Sequence, residues 1–312
     1  MAMRRLMAAA AAAVLVLSAG CGGDGGGDAS KRETTTTPAP RGPLITIGTK
    51  NFPEQFVLGE LYAQALRARG FRVRLKSNVG ASEIVDRALT AGSLDMYPEY
   101  TGVVLSELAG DRRRPASERQ AYERAKAFQE KRGFTMLAMT PFSDQNALAV
   151  TPSFARSRGL RSVADLRKLA GVVEIGAPPE FRTRFEGLTG LRQLYGLDRT
   201  RVKVLKIGEQ YPALDDGTVK VANVFTTDGQ LVGGKYELLA DPRALFAFQN
   251  VAPVIKRSLA RANPRMVRVI DAVSAKLTTE AMRSMNAAVV QRGEKPAAVA
   301  RRFLERAGLA GG

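Results

Sequence analysis

Histidine is absent from the 312 residues, so no Ser-His-Asp triad, histidine-held metal or imidazole acid–base pair can be assembled from this chain. The single cysteine, Cys21, allows neither an internal disulfide nor a cysteine-rich zinc site. Carboxylates, amines, guanidinium groups, amides and phenols remain. Asp144, Glu99 and Lys50 could serve as acid and base, yet no nucleophile, base and orienting group stand together. Gly233-Gly234-Lys235 lacks the rest of a phosphate-binding loop, and no dinucleotide fingerprint or metal-ligand spacing occurs. Neither catalysis nor a cofactor is expected; binding is. Lys50 follows a strand-like segment and precedes Pro53, where a cation beside the first amides of a helix suits a ligand carboxylate.

Such residues need a scaffold. Hydrophobic residues make up 45% and charged residues 25%, the balance of a globular protein of about two domains. Strand-like segments at 44–48, 72–77, 94–97 and 135–139 alternate with helical patterns at 54–69, 82–90 and 121–132. A second group follows: strands at 147–150, 172–176, 202–205 and 220–225, and helices at 163–169, 185–195 and 210–214. A strand at 251–255 precedes a tail, 264–307, that reads as wholly helical. Alternation of this kind predicts α/β units with largely parallel sheets in two lobes, and ligands in such sheets sit beyond the carboxyl ends of strands.

The first residues set the compartment. Arg4 and Arg5 precede an apolar run of twelve residues, 6–17, too short to span a bilayer, and small residues follow. That is a secretory signal over 1–20. Leu17-Ser18-Ala19-Gly20-Cys21 resembles the lipobox of bacterial lipoproteins, whose thiol takes a diacylglyceryl chain, although the leucine stands one place further from Cys21 than the commonest pattern has it. The stretch 21–43 is Gly, Asp, Thr and Pro with little to bury, which predicts a flexible tether. The balance of 47 Lys and Arg against 30 Asp and Glu gives +17. Its runs, Arg112-Arg113-Arg114 and Arg301-Arg302, are short and have no interleaved aromatics, so solvated faces explain the charge better than nucleic acid does.

Five motifs then fall in order along 44–256. They are Ile45-Thr46-Ile47-Gly48-Thr49-Lys50-Asn51-Phe52-Pro53-Glu54-Gln55, Gly92-Ser93-Leu94-Asp95-Met96-Tyr97-Pro98-Glu99-Tyr100-Thr101-Gly102 and Phe142-Ser143-Asp144-Gln145-Asn146. Tyr211-Pro212-Ala213-Leu214-Asp215-Asp216-Gly217, continued by Val224-Phe225-Thr226-Thr227-Asp228-Gly229, is the fourth; Phe248-Gln249-Asn250-Val251-Ala252-Pro253 is the last. Together they resemble the glycine betaine/choline, or quaternary-amine, class of ABC-importer substrate-binding lipoproteins. The resemblance implies a two-lobed periplasmic-binding-protein fold of type II, with 44–143 and 250–312 in one lobe and 144–249 in the other. It implies an exported, membrane-anchored protein that closes on a small zwitterionic or quaternary ammonium osmolyte and delivers it to a permease driven by an ATPase subunit. A ligand sensor with the same site and a different partner would have the same sequence features.

The same resemblance assigns residues. Lys50 and Arg184 match the family's carboxylate-holding cations, with Arg182 as the competing arginine. Gln55 and Asp144 match polar or lobe-bridging contacts. Tyr100 and Phe225 match two walls of the aromatic box that desolvates a trimethylammonium group. Where relatives have further tyrosines, this chain has Asn146 and the pair Gln249-Asn250. Two outcomes are open. The amides hydrogen-bond a more polar ligand, such as a betaine of a larger amino acid; or they pair with neighbouring groups while Phe52, Phe142, Tyr97 or Phe248 rebuilds the box. Tyr97 reads as packed at the strand end, and Glu99 as a counter-ion for a cationic ligand or a hinge arginine.

Overall fold

The computed structural model describes residues 42–111, 113–246 and 248–310. The signal segment, Cys21 and nearly all of the tether lie outside the described residues. Among the described residues ten strands form two five-stranded sheets. β1 (Leu44–Lys50), β2 (Arg72–Gly80), β3 (Met96–Tyr100) and β4 (Phe134–Met136) belong to the first. β5 (Asn146–Val150), β6 (Val173–Ala177), β7 (Thr200–Val204), β8 (Val221–Phe225) and β9 (Glu237–Leu238) make the second, and β10 (Val251–Lys256) returns to the first. The orders are β2-β1-β3-β10-β4 and β7-β6-β8-β5-β9.

Both faces of each sheet are covered. Along β10, Val251 and Ile255 enter one apolar cluster while Ala252 and Val254 enter another, the two-residue alternation of a strand buried on both sides. Along β5, Leu148 and Val150 divide from Ala147 and Ala149 in the same way. These near-continuous apolar runs are why the segments read so plainly as strands.

The sheets are less parallel than the alternation of elements predicts. β1 is parallel to β2 and β3, and β6 to β7 and β8, but β10 is antiparallel to β3 and β4, and β5 to β8 and β9. The cause is the crossing between lobes. β3 and β8 end at the cleft, whereas β10 and β5 are entered from it, so Val251 faces Tyr100 and Asn146 faces Phe225 in register. The two crossing segments also pair with each other: the Asp144 amide donates to the Gln249 carbonyl at 3.0 Å, and Ser143 bridges Asn250.

The helix α1 (Pro53–Ala68) starts on a proline at its first position with Glu54 in the first turn, and buries Val57, Leu58, Leu61, Tyr62 and Leu66. The tail covers that stripe, contributing Met266, Ile270, Met285 and Leu304 to the same core. Four helices follow β10, Arg257–Ala262, Pro264–Ser274, Thr279–Val290 and Pro296–Arg306, the last three of them within the tail expected as helical. Pro264 and Pro296 can open helices but cannot continue them, and Thr278 caps the third by accepting the Ala281 amide at 3.2 Å. The segment expected as a helix at 185–195 is likewise interrupted, because Glu186 and Gly187 leave helical geometry. Among the described residues no helix is long and apolar enough to cross a membrane.

Candidate ligand-binding site

Strand ends meet across the cleft between the sheets. Lys50 closes β1, Tyr100 closes β3, Asn146 opens β5 and Phe225 closes β8, and all four line one cavity of about 610 Å³ counting its open mouth. Phe52, Ser82, Asp144, Arg184, Glu186 and Gln249 stand in the same wall. Of the four aromatics in the wall, Phe52, Tyr100 and Phe225 form a row, and Phe181 lines the cavity as well. Phe52 lies between Tyr100 (centroids 6.3 Å apart, planes at 18°) and Phe225 (5.9 Å, 7°). Of the four aromatics that could replace the missing tyrosines, Phe52 lines the cavity; Phe142 and Tyr97 are fully buried in the core, and Phe248 packs beside the crossing segment.

Both cations of the cleft already have carboxylates. Lys50 Nζ lies 2.5 Å from Glu99 Oε1, donates to Ser82 Oγ at 3.1 Å and stands 4.0 Å from the centre of the Tyr100 ring. Burial pushes its pKa down, against the pull of Glu99. Glu99 therefore answers Lys50, not a hinge arginine or a ligand. Arg184 donates to both oxygens of Glu83 at 3.1 and 3.2 Å and lies 3.7 Å from Glu107, reaching from the second lobe to the first. Arg182, the competing arginine, is exposed and absent from the cavity wall.

The amides are engaged within the protein. Asn146 Oδ1 accepts from Asn223 Nδ2 at 2.9 Å. Gln249 Oε1 accepts the Val103 amide at 3.1 Å, and its Nε2 donates to Glu186. Gly102 makes room for that side chain, since a β-carbon there would run into the Gln249 amide. Two expected site residues lie outside the cavity wall. Gln55 is buried with Oε1 accepting the Lys50 amide at 3.3 Å, and Asn250 turns away to donate to the Thr140 carbonyl at 3.1 Å. Each satisfies a buried backbone group.

Glu54, Asp144 and Thr227 form the contact that ties the lobes beneath the aromatic row. Glu54 accepts from the Tyr100 hydroxyl at 2.8 Å and from Asn286 Nδ2 at 2.9 Å. Thr227 Oγ1 lies 2.5 Å from Glu54 Oε2 and 2.7 Å from Asp144 Oδ1. One hydroxyl carries one proton and can donate to one acceptor, so one of the two carboxyl groups must hold a proton to satisfy the other contact. Burial raises both, and the like charge of Glu54 and Asp228 adds to the effect on Asp144. Asp228 itself is raised to about 6 by burial.

Glu54, Glu83, Glu107, Glu186, Thr227 and Asn286 were not marked by the sequence motifs as site residues. Their partners lie far along the chain, 101 positions away for Glu83 and Arg184 and 232 for Glu54 and Asn286, and no short-range pattern announces such pairs. Glu54 and Thr227 did stand inside motifs, which was the available signal.

Comparison with known proteins follows the same outline. A family model described as the substrate binding domain of ABC-type glycine betaine transport systems matches residues 43–306. A glycine-betaine-binding protein of Pseudomonas aeruginosa is 32% identical over 274 residues, covering 83% of this chain and 86% of that protein. An ergothioneine transport permease/ergothioneine binding protein of Helicobacter pylori is 25% identical over 85% of this chain, which spans 48% of that longer protein. Among solved structures, apo YehZ from Escherichia coli superimposes with a TM-score of 0.65 at 26% identity, covering 86% of this chain and 100% of that one. Lactococcal OpuAC, closed on glycine betaine, gives 0.62 at 14% identity over 85% of this chain and 96% of that one, a likeness of fold.

Proposed function

The chain belongs to the family of substrate-binding domains of ABC-type glycine betaine transport systems, and we propose that it captures a small quaternary-amine osmolyte in the interlobe cleft and delivers it to an importer. Glycine betaine, choline or a related betaine is the ligand class. One observation carries this reading: Phe52, Tyr100 and Phe225 line a single cavity, and an ammonium group, that of Lys50, already sits at cation–π distance from Tyr100. Closure is favoured by the ligand because only the closed form brings Tyr100 of one lobe and Phe225 of the other against it. The closed form is then what an ABC permease and its ATPase partner would recognise. The role is binding, not catalysis. It would be performed outside the cytoplasm, with the protein held at the membrane by a lipid on Cys21.

A larger, hydrogen-bonding amino-acid betaine is the second reading. It is favoured by Asn146, Asn223 and Gln249 in the wall and by the similarity to an ergothioneine-binding relative. Calorimetric titration with glycine betaine, choline, carnitine, proline betaine, a histidine-derived betaine and proline separates the two. Micromolar binding of glycine betaine or choline is expected. Heat from the histidine-derived betaine alone would replace the first reading with the second, and no heat from any member would end both.

A further inference from the structure

The charges of the cleft do not balance. Its two cations are neutralised inside the protein, Lys50 by Glu99 and Arg184 by Glu83 and Glu107. The wall nevertheless holds Glu186, whose carboxylate accepts from Gln249 Nε2 and forms no ion pair among the described residues. Glu186 shares that wall with the aromatic row of Phe52, Tyr100 and Phe225. A ligand carboxylate entering this cavity meets cations already paired and three acidic side chains, Glu186, Asp144 and Glu180, that form no ion pair among the described residues. A ligand cation meets π-faces and an available counter-charge.

We propose that Glu186 selects ligands by net charge, standing as counter-ion to a quaternary ammonium so that a net-cationic ligand such as choline is held in preference to a carboxylate-bearing zwitterion such as glycine betaine. This rests on the reading of the cleft as a quaternary-ammonium site.

The local backbone is built to present this carboxyl. Glu186 and Gly187 depart from helical geometry, and a β-carbon on Gly187 would strike the Phe181 carbonyl, so glycine lets the chain turn there. Gln249, on the segment that crosses between the lobes, holds the carboxyl, and Gly102 of the first lobe leaves space for Gln249. The charged groups nearest Glu186 are Arg184 on its own segment and Glu107 from the first lobe; Lys50, Asp144 and Glu180 line the same cavity, and Asp111, Arg113 and Arg114 the adjoining one that Glu186 also borders. Burial pushes the Glu186 carboxyl up to about 8, so at neutral pH it is mostly protonated until a cation arrives. Binding a permanent cation must then release close to one proton, and affinity should rise by up to about tenfold per pH unit below pH 8.

The test compares choline and glycine betaine on the purified protein and on Glu186→Gln, by calorimetry at pH 6, 7 and 8 in buffers of different ionisation enthalpy. The expected result has four parts: choline bound more tightly than glycine betaine, proton release with choline, a loss of at least tenfold in choline affinity in the variant, and glycine betaine affinity unchanged or increased. Thermal melting of both proteins verifies folding. The pH series on the unsubstituted protein needs no variant, and choline binding there without proton release would overturn the inference. So would a choline-to-betaine ratio unmoved by the substitution. If the unsubstituted protein binds neither ligand, the functional reading itself fails, and the inference with it.

Discussion

Tyr100 does two separable things. Its ring is one member of the aromatic row, and its hydroxyl donates to the buried Glu54 at 2.8 Å. Removing the ring removes a π-face worth on the order of 2 kcal/mol to a desolvated cation, so Tyr100→Ala should weaken binding of a quaternary amine by at least tenfold. Tyr100→Phe keeps the face and loses one hydrogen bond to a charged or proton-sharing group, a cost to stability of about 1–3 kcal/mol. Titration and thermal melting of both variants check this. Affinity within about twofold of the parent for Tyr100→Phe, with a lowered Tm, is expected. If both variants lose affinity equally, the hydroxyl and not the ring holds the ligand. Lys50 shows where residue-by-residue transfer falls short. Its position at the cleft end of the first strand was legible, but its pairing with Glu99, itself inside a recognised motif, was not. Periodicity places a side chain on an element without naming its partner on another.

At the level of elements, strands were more legible than their directions or ends. β3 extends to Tyr100, three residues beyond the stretch its apolar pattern suggests, because β10 pairs with it to the end, Ala252 opposite Glu99 and Val251 opposite Tyr100, while Glu99 is buried against Lys50 and Tyr100 joins the first sheet's core. The lobes meet most closely where the loop after β8 rests on the helix Thr279–Val290. Arg283 Nε donates to the Thr226 carbonyl at 2.8 Å, Asn286 Nδ2 to Thr227 at 2.9 Å and Gln291 Nε2 to Gly229 at 2.6 Å. A β-carbon on Gly229 would run into the backbone of Ala287, which cannot rotate aside as a side chain can. Gly229→Ala should therefore push the loop off the helix, lower Tm by several degrees and weaken ligand binding together, as overpacking costs of about 1–3 kcal/mol imply. Melting curves with and without ligand read both effects. An unchanged Tm would mean that the lobes separate at this contact at little cost. The Asp228-Gly229 motif was visible in the sequence; that its glycine serves contact between lobes, and not a turn, needed the tail helix in place.

For the molecule as a whole, closure couples to proton binding. The Glu54–Thr227–Asp144 contact joins both lobes and the crossing segment, and its single hydroxyl proton leaves one proton to be held by the two carboxyl groups. Both carboxyls are raised by burial, so the folded protein binds more protons than the unfolded chain once pH exceeds the ordinary carboxylate range. Stability from this pair is thus fully present in acid and is lost as pH rises toward the raised pKa, and Glu186 and Asp228, raised to about 8 and about 6, act in the same direction. The expected behaviour is an unfolding free energy that declines from pH 5 to pH 8. Asp144→Asn isolates the pair's share. Its amide can donate to Thr227 Oγ1 as a protonated carboxyl would, but cannot ionise, so Glu54 keeps the hydroxyl proton at every pH. The variant should lose about one proton from the pH slope, or about 1.4 kcal/mol per pH unit, and be the more stable protein at pH 8. Denaturant unfolding of both proteins at half-unit pH steps measures the slopes directly. Parallel curves would mean that the two carboxyls ionise independently and that Thr227 bridges them without holding a proton between the lobes.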